Sequence, residues 1–146
     1  MLLKSMLAGA AAVVLLAGTA MAECTLPPEA AAGKTVSNQC KSCHVFEADK
    51  PSRPTGPNLH DVAGAKAGAR EDFTKYSTGI QAATAKGLTW TDENLMEYLA
   101  DPKAFLVKFT GDANVKHGMF FQLKDEQKRK DVINYLKAIK GKADCS

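Results

Sequence analysis

The spacing of apolar residues along the chain predicts helices and no strands. Apolar residues recur at helical spacing as Val132, Ile133, Leu136 and Ile139 near the end of the chain, and as Leu95, Met96 and Leu99 in its middle. We predict four helices, from about residue 29 to 43, 92 to 100, 102 to 109, and 125 or 126 to 140. No segment alternates like a strand, so the pattern indicates an all-α fold.

Residues that start and end helices support these boundaries. The starting signals are Pro27-Pro28 for the first helix, Thr91 for the second, and Asp101 with Pro102 for the third. Gly141 is the expected end of the last helix. The apolar residues of the first helix are small, namely Ala32, Val36 and Cys40.

A long stretch between the predicted helices lacks a regular pattern. Residues 51–87 are rich in Gly, Pro, Lys and Thr. Loops of this length in a small domain are usually functional or wrap around something large. The apolar stripes are also few, and a bulky apolar prosthetic group would complete so small a core.

The first 22 residues have the layout of a secretory signal. Lys4 precedes an apolar run over residues 6–17, and Ala20-Met21-Ala22 forms an A-x-A cleavage site. The run is too short to span a membrane comfortably, which disfavours an uncleaved anchor. We therefore expect a cleaved signal peptide over 1–22, a single domain over 23–146, and export to a compartment where disulfides form.

Composition limits the class of protein further. The 146 residues are 45% hydrophobic and 24% charged, with a net charge of +3, which suits one globular domain. No block of basic residues alternates with aromatic residues, so nucleic acid is not an expected partner.

The stretch Cys40-Lys-Ser-Cys43-His44 carries the candidate chemistry and has three interpretations. A zinc site needs about four ligands, and His60 and His117 lie far away in the sequence. A redox dithiol of the thioredoxin type needs a neighbouring strand in an α/β pattern, which the chain lacks. A covalent c-type haem uses two cysteines for thioether bonds and the next histidine as an axial ligand to iron. Helical spacing places the two cysteines one turn apart on one face, so we predict haem c.

The iron of such a haem has a sixth coordination position. The candidate ligands are Met96, Met119, His60 and His117. Met96 lies on an apolar helical stripe, where core packing is expected, and the two histidines lie in polar loops. Met119 lies in a loop between Gly118 and two aromatic residues, and we predict that its sulfur is the second axial ligand. Ligation by His44 and Met119 fills both axial positions and raises the reduction potential, which favours a carrier over an enzyme.

Six motifs in order resemble the class I cytochromes c, in particular the long bacterial periplasmic form, cytochrome c2. They are CKSCH, GPNLH over 56–60, KGLTW over 86–90, LMEYLADPKAF over 95–105, GMFF over 118–121 and INYLK over 133–137. The resemblance runs from about Gly33 to Gly141. It implies an all-α class I cytochrome c fold, with three to five helices and long loops wrapped around one covalent haem.

The resemblance also implies roles for residues around the haem. Pro57 matches the proline whose carbonyl accepts a hydrogen bond from the proximal histidine, which fixes the ring and raises its basicity. Trp90 and Tyr76 resemble the donors to the haem propionates. Tyr98 resembles the tyrosine near the methionine sulfur.

The terminal helices are implied to cross. Gly33 and Tyr135 resemble the contact where a missing side chain lets an aromatic ring pack closely. Because crossing helices bring the chain ends together, we expect a disulfide between Cys24 and Cys145, with two free thiols or intermolecular pairing as alternatives. This pair indicates a variant form, an isocytochrome c2. Ser37 departs from the aromatic residue that relatives often carry in the first helix.

The function implied is that of a soluble, monomeric periplasmic electron carrier that does not insert stably into the membrane. Its expected partners are a quinol–cytochrome c oxidoreductase as donor and a photosynthetic reaction centre or cytochrome oxidase as acceptor. The lysines expected to dock an acidic partner are Lys41, Lys50, Lys66, Lys103, Lys108, Lys116 and Lys124. A haem enzyme or sensor would need a vacant sixth position, which Met119 disfavours.

Overall fold

The computed structural model of the protein describes residues 24–142 and residue 145, so the predicted signal peptide lies outside the described residues. The described part contains five helices and no strand: α1 Pro28–Ser37, α2 Thr78–Ala85, α3 Asp92–Ala100, α4 Pro102–Thr110 and α5 Glu126–Ile139. This confirms the all-α prediction. Over the same residues, no helix is both long enough and apolar enough to cross a membrane.

Helix α1 is shorter than predicted. It ends at Ser37, and residues 38–43 continue as turns. The amide of His44 still donates to the carbonyl of Cys40 at 2.9 Å, so one helical turn separates Cys40 from His44. Ala32 is exposed, and the buried face of α1 is formed by Ala30, Gly33, Val36 and Ser37.

Helix α2 lies inside the stretch that the sequence pattern left without structure. It begins after Ser77, whose hydroxyl accepts a hydrogen bond from the amide of Ile80 at 3.3 Å. The helix has eight residues and buries Gly79, Ile80 and Ala83. A short helix with two very small residues on its buried face gives almost no periodic signal.

The predicted caps of α3 and α4 are confirmed. The Thr91 hydroxyl accepts from the amide of Asn94 at 3.2 Å, and the Asp101 carboxylate accepts from the amide of Ala104 at 2.9 Å. Gly111 ends α4 at φ +77°, in the left-handed region that glycine tolerates.

Helices α1 and α5 cross with their backbones close together, and this is the most extensive contact between helices. A Cβ atom added at Gly33 would overlap the carbonyl of Asp131 and would lie 2.7 Å from Cβ of Tyr135. Only glycine permits this approach. Next to the crossing, the structure pairs Cys24 with Cys145, whose Cα atoms are 5.2 Å apart.

The buried face of α1 carries a polar residue, Ser37, which is fully buried. Its hydroxyl donates to the carbonyl of Lys34 at 2.8 Å and so satisfies its donor within the helix. The Phe46 ring packs against the Tyr135 ring with centroids 5.8 Å apart. Phe46 therefore supplies aromatic bulk at the helix crossing, where α1 itself offers a small polar side chain.

The end of α5 is held by the loop over residues 60–63. Three hydrogen bonds join them: His60 Nε2–H donates to the Lys142 carbonyl at 2.8 Å, the Gly141 amide to Asp61 Oδ1 at 3.0 Å, and Lys140 Nζ to the Ala63 carbonyl at 2.7 Å. The other ring nitrogen of His60 lies 3.0 Å from Asp61 Oδ2. This contact is an ion pair when the imidazole is protonated.

The glycine at the helix crossing gives a stability prediction. Gly33→Ala should lower the free energy of unfolding by about 1–3 kcal/mol or more, because the methyl group meets backbone that cannot yield locally. Urea unfolding of the haem-loaded protein, followed by circular dichroism, measures the change. Ala32→Ser, on the exposed face of the same helix, is the control and should change stability by no more than about 0.5 kcal/mol. Equal stability of both variants would contradict the close approach.

The His60 contacts predict a dependence of stability on pH. Burial alone lowers the pKa of His60, but Asp61 and the Lys142 carbonyl outweigh burial and raise the pKa above 6.5. A group whose pKa is raised by folding stabilises the protein fully below its unfolded pKa, and this contribution disappears as the pH rises through the folded pKa. The difference in unfolding free energy between wild type and His60→Gln should therefore be larger at pH 6 than at pH 8.5.

Between pH 8.5 and pH 6, the difference in unfolding free energy between the two proteins should grow by about 1 kcal/mol or less, because the Asp61 carboxylate is exposed. Glutamine can still donate to the Lys142 carbonyl but carries no charge, so the comparison isolates protonation. Denaturant titrations at the two pH values measure it. A pH-independent difference between the two proteins would show that His60 is not charged in the folded state.

Candidate functional site

A cavity of about 540 Å³ lies between the turn after α1, the loops that precede α2, helix α3 and the segment over residues 118–121. Its volume is within the range of cofactor sites. The eight residues predicted to hold the cofactor all line it: Cys40, Cys43, His44, Pro57, Tyr76, Trp90, Tyr98 and Met119. Folding therefore collects side chains that are up to 79 residues apart in sequence, at positions 40 and 119, around one space.

The turn after α1 presents two cysteines to this cavity. Cys40 and Cys43 are free thiols, and Cys43 is exposed while Cys40 is half-buried. Burial, with a smaller effect of Cys43, raises the pKa of the Cys40 thiol. The amide of Cys43 donates to the Cys40 carbonyl at 3.1 Å, which keeps the pair in a single turn. Two thiols held one turn apart at the wall of an apolar cavity suit attachment to one edge of a porphyrin.

The histidine that follows is oriented from behind. His44 Nδ1–H donates to the Pro57 carbonyl at 2.7 Å, which leaves Nε2 as the nitrogen that can bind a metal. Gly56 lies against the same ring, because a Cβ atom there would be 2.6 Å from Cε1 and 2.8 Å from Nδ1 of His44. The residue pair Gly56-Pro57 thus fixes both the plane and the tautomer of the imidazole.

The protonation of His44 also suits a metal ligand. Burial lowers the pKa of His44 below 6.5, although the Pro57 carbonyl acts in the opposite direction. The neutral ring is the form that binds metal ions. At neutral pH, His44 therefore offers a free lone pair on Nε2.

The candidates for the second axial ligand differ in position. Met119 is half-buried and lines the cavity, whereas Met96, His60 and His117 do not line it. Met96 packs against the core cluster that includes Leu95. His60 is engaged with the end of α5, and His117 stacks on Phe120 with ring centroids 4.7 Å apart. This arrangement favours Met119.

An aromatic cluster forms one wall of the cavity. The Trp90 ring lies 4.8 Å from the Tyr98 ring, and Phe105 packs against both at 6.3 and 5.8 Å. Burial raises the pKa of Tyr98, so its hydroxyl stays protonated. Trp90 is buried and lines the cavity, so its indole N–H is suited to a carboxylate held there.

The same side of the cavity contains basic residues that the sequence analysis did not single out. Arg70 and Lys75 line the cavity together with the predicted Lys66. The Tyr76 hydroxyl accepts a hydrogen bond from the Arg70 amide at 3.3 Å and keeps its own proton to donate. Arg70 and Lys75 lie in the loop without periodic pattern, so only their spatial position reveals them.

The seven predicted docking lysines are not equivalent. Three are paired with acids: Lys50 with Asp49 at 3.9 Å, Lys108 with Glu97 at 2.7 Å and Lys124 with Asp101 at 4.0 Å. Lys66 is the member of the set that lines the cavity. Lys41 is half-buried, and Lys103 and Lys116 are exposed. Among the lysines, the positive charge at the cavity thus comes from Lys66 and from Lys75, beside Arg70, which is paired with Asp72.

The residues present fit a covalent haem. The cavity provides two free thiols for attachment and an oriented imidazole and a thioether for the iron. Hydrogen-bond donors and basic groups suit the propionates, and aromatic and aliphatic side chains suit the macrocycle. No group of three or more potential metal-binding His, Cys, Asp or Glu residues occurs in the described part, so a zinc centre has no counterpart there.

Known proteins resemble this chain closely, although no family model matches it. The chain is 41% identical over 130 residues to cytochrome c2 of Rhodospirillum rubrum, covering 89% of this chain and 92% of the relative. It is 46% identical over 118 residues to a cytochrome c2 of Rhodopseudomonas palustris, covering 77% and 99%. The crystal structure of cytochrome c2 from Rhodobacter sphaeroides matches with a TM-score of 0.70 at 40% identity, over 74% of this chain and 93% of that one.

These matches extend over nearly all of each relative. They also confirm the fold expected from the sequence motifs. The chain belongs to the cytochrome c2 group of the class I cytochromes c, which are electron-transfer proteins rather than enzymes and carry one covalently bound haem c with its iron.

Proposed function

We propose that this chain is a soluble periplasmic electron carrier in which His44 and Met119 are the two axial ligands and Cys40 and Cys43 hold the haem covalently. The observation that carries the proposal is the cavity that these four residues share. The proposal that the protein is exported to the periplasm depends on the signal peptide predicted over residues 1–22. When bound, the haem supplies a one-electron couple between Fe(III) and Fe(II).

The protein residues act by holding the site constant between the two oxidation states. The 2.7 Å hydrogen bond from His44 to the Pro57 carbonyl orients one proposed ligand. Packing against the core cluster holds the other, Met119, in place. The aromatic wall excludes water from the interior. A site that changes little on electron transfer needs little reorganisation, which suits rapid exchange of electrons.

Tyr76 and Trp90 are proposed to donate hydrogen bonds to the haem propionates. The Tyr76 hydroxyl accepts from the Arg70 amide and keeps its own proton to donate, and the buried Trp90 ring lines the same cavity. Arg70, Lys66 and Lys75 line the cavity and lower the cost of keeping carboxylates partly buried. Pairing of Arg70 with Asp72 at 3.1 Å limits its contribution.

Partners are proposed to approach the cavity opening. Phe120 lines the cavity and is 78% exposed, so an apolar contact is available there beside the basic groups of Lys66 and Lys75. An acidic surface on a membrane redox complex would match this charge. The expected complexes are a quinol–cytochrome c oxidoreductase as donor and a photosynthetic reaction centre or cytochrome oxidase as acceptor, with this protein acting as a monomer.

Replacing Met119 tests the axial ligands. Met119→Ala should abolish the near-infrared sulfur-to-iron absorption band of the oxidised protein and lower its reduction potential, because the thioether favours Fe(II). Met96→Ala is the matched control: it should keep the band and cost about 2 kcal/mol or less of stability, since Met96 is only half-buried. A band that survives in Met119→Ala would contradict the assignment.

Charge at the cavity opening gives a kinetic prediction. The double variant Lys66→Gln with Lys75→Gln should reduce the rate of oxidation by hexacyanoferrate(III) several-fold at low ionic strength. The difference should vanish near 1 M salt, where the Debye length is about 3 Å. Stopped-flow absorption measures both rates.

The control removes the same charge elsewhere. Lys130 and Lys137 lie on α5, pair with Glu126 and Asp92, and do not line the cavity. The double variant of these two residues to Gln should leave the rate close to wild type. Equal effects of the two double variants would show that net charge, not its position, governs the reaction.

A further inference from the structure

Asn58 is a buried polar residue that no step of the function described so far uses. It is 1% exposed and follows Pro57 directly. Its side chain and amide make four hydrogen bonds: Nδ2 donates to the carbonyls of Glu47 and Lys50 at 2.7 Å each, Oδ1 accepts from the His60 amide at 2.8 Å, and its backbone amide donates to Ser52 Oγ at 2.9 Å. Every polar group of the side chain is therefore engaged.

These bonds join the segment that follows the proximal histidine along the chain to the segment that carries Pro57. Glu47 and Lys50 follow His44 along the chain, whereas Asn58 follows the proline whose carbonyl orients the His44 ring. The Leu59 amide adds a bond to the Val45 carbonyl at 2.8 Å. The Asn58 amide group thus bridges the stretch after His44 to the stretch that carries Pro57.

Ser52 extends the same network to the protein surface. Its hydroxyl accepts from the Asn58 amide and donates to Asp72 Oδ1 at 3.0 Å, while its own amide donates to Asp72 Oδ2 at 2.6 Å. Arg70 Nε donates to the same carboxylate at 3.1 Å. These bonds lower the pKa of Asp72 to about 2, so the carboxylate remains an acceptor at every physiological pH.

We propose that Asn58 is a positioning residue for the proximal ligand, with Ser52 and Asp72 as its support, and that this network sets the reduction potential through the Pro57 carbonyl. The inference rests on His44 being the axial ligand. A carbonyl fixed 2.7 Å from Nδ1 withdraws the ring proton and makes the imidazole more basic. A more basic ligand favours Fe(III), so loosening the carbonyl should raise the potential.

The test compares three variants of the haem-loaded protein. Asn58→Ala removes the bridge itself, and Ser52→Ala removes its support in an exposed loop without touching the bonds from Asn58 Nδ2. Asn94→Ala is the matched control, because Asn94 Nδ2 likewise donates to a backbone carbonyl, that of Thr89, at 2.7 Å. The readouts are the reduction potential, the proton resonance of His44 Nδ1–H with its rate of exchange with solvent, and stability to urea.

Asn58→Ala should raise the ratio of reduced to oxidised protein about tenfold at a fixed ambient potential, the low end of what losing an outer partner of a metal ligand costs. For one electron this equals a shift of about 59 mV. Exchange of the His44 ring proton should accelerate. Ser52→Ala should shift both readouts in the same direction by less, and Asn94→Ala should change stability alone.

The outcomes separate this role from a structural one. An unchanged potential and unchanged ring-proton exchange in both Asn58→Ala and Ser52→Ala would overturn the proposal, however large the loss of stability. If Asn58→Ala does not fold, Ser52→Ala decides by the same two readouts. Absence of the sulfur-to-iron band in the wild-type protein would instead contradict Met119 as ligand, and would leave the role of Asn58 to be judged by the exchange of the His44 proton.

Discussion

The hydrogen bond from His44 Nδ1–H to the Pro57 carbonyl is the interaction on which the rest of the site depends. It selects the tautomer, leaves the lone pair of Nε2 free, and joins two loops that lie outside the helices. Among the described residues around Pro57, the backbone pairs only through a single bridge between Arg53 and Gly56 and the bond from the Leu59 amide to the Val45 carbonyl, so the position of Pro57 also depends on side-chain contacts. Gly56 has no side chain, which lets its backbone lie directly against the His44 ring. Asn58 adds hydrogen bonds from its side-chain amide.

The helices serve mainly to bring these loops together. The crossing of α1 and α5 fixes where the cysteine turn begins, because Gly33 allows the two backbones to meet. Tyr135 of α5 also packs on Phe46, which lies two residues after His44 in the chain. The loop after Asn58 is held in turn by the end of α5 through His60 and Asp61. The proximal side of the cavity is therefore tied to the most extensively packed part of the fold.

Much of this could be expected from the sequence because the relevant signals are local. Caps at Thr91 and Asp101 follow from which side chains can accept from free amides, and the stripe of α5 follows from helical periodicity. Helix α2 could not be expected, since small buried residues such as Gly79 and Ala83 leave no periodic pattern in the sequence.

The sequence by itself determined the cofactor, because CKSCH needs one helical turn to present two thiols and an imidazole together, and that turn is local. Tertiary structure decided which of the candidate axial ligands lines the cavity: Met119 does, whereas Met96, with the same side chain, packs elsewhere in the core. It also decided the network of Asn58, Ser52 and Asp72. Those bonds join residues 6 and 20 positions apart through irregular loops, and no periodicity in a sequence encodes a contact of that kind.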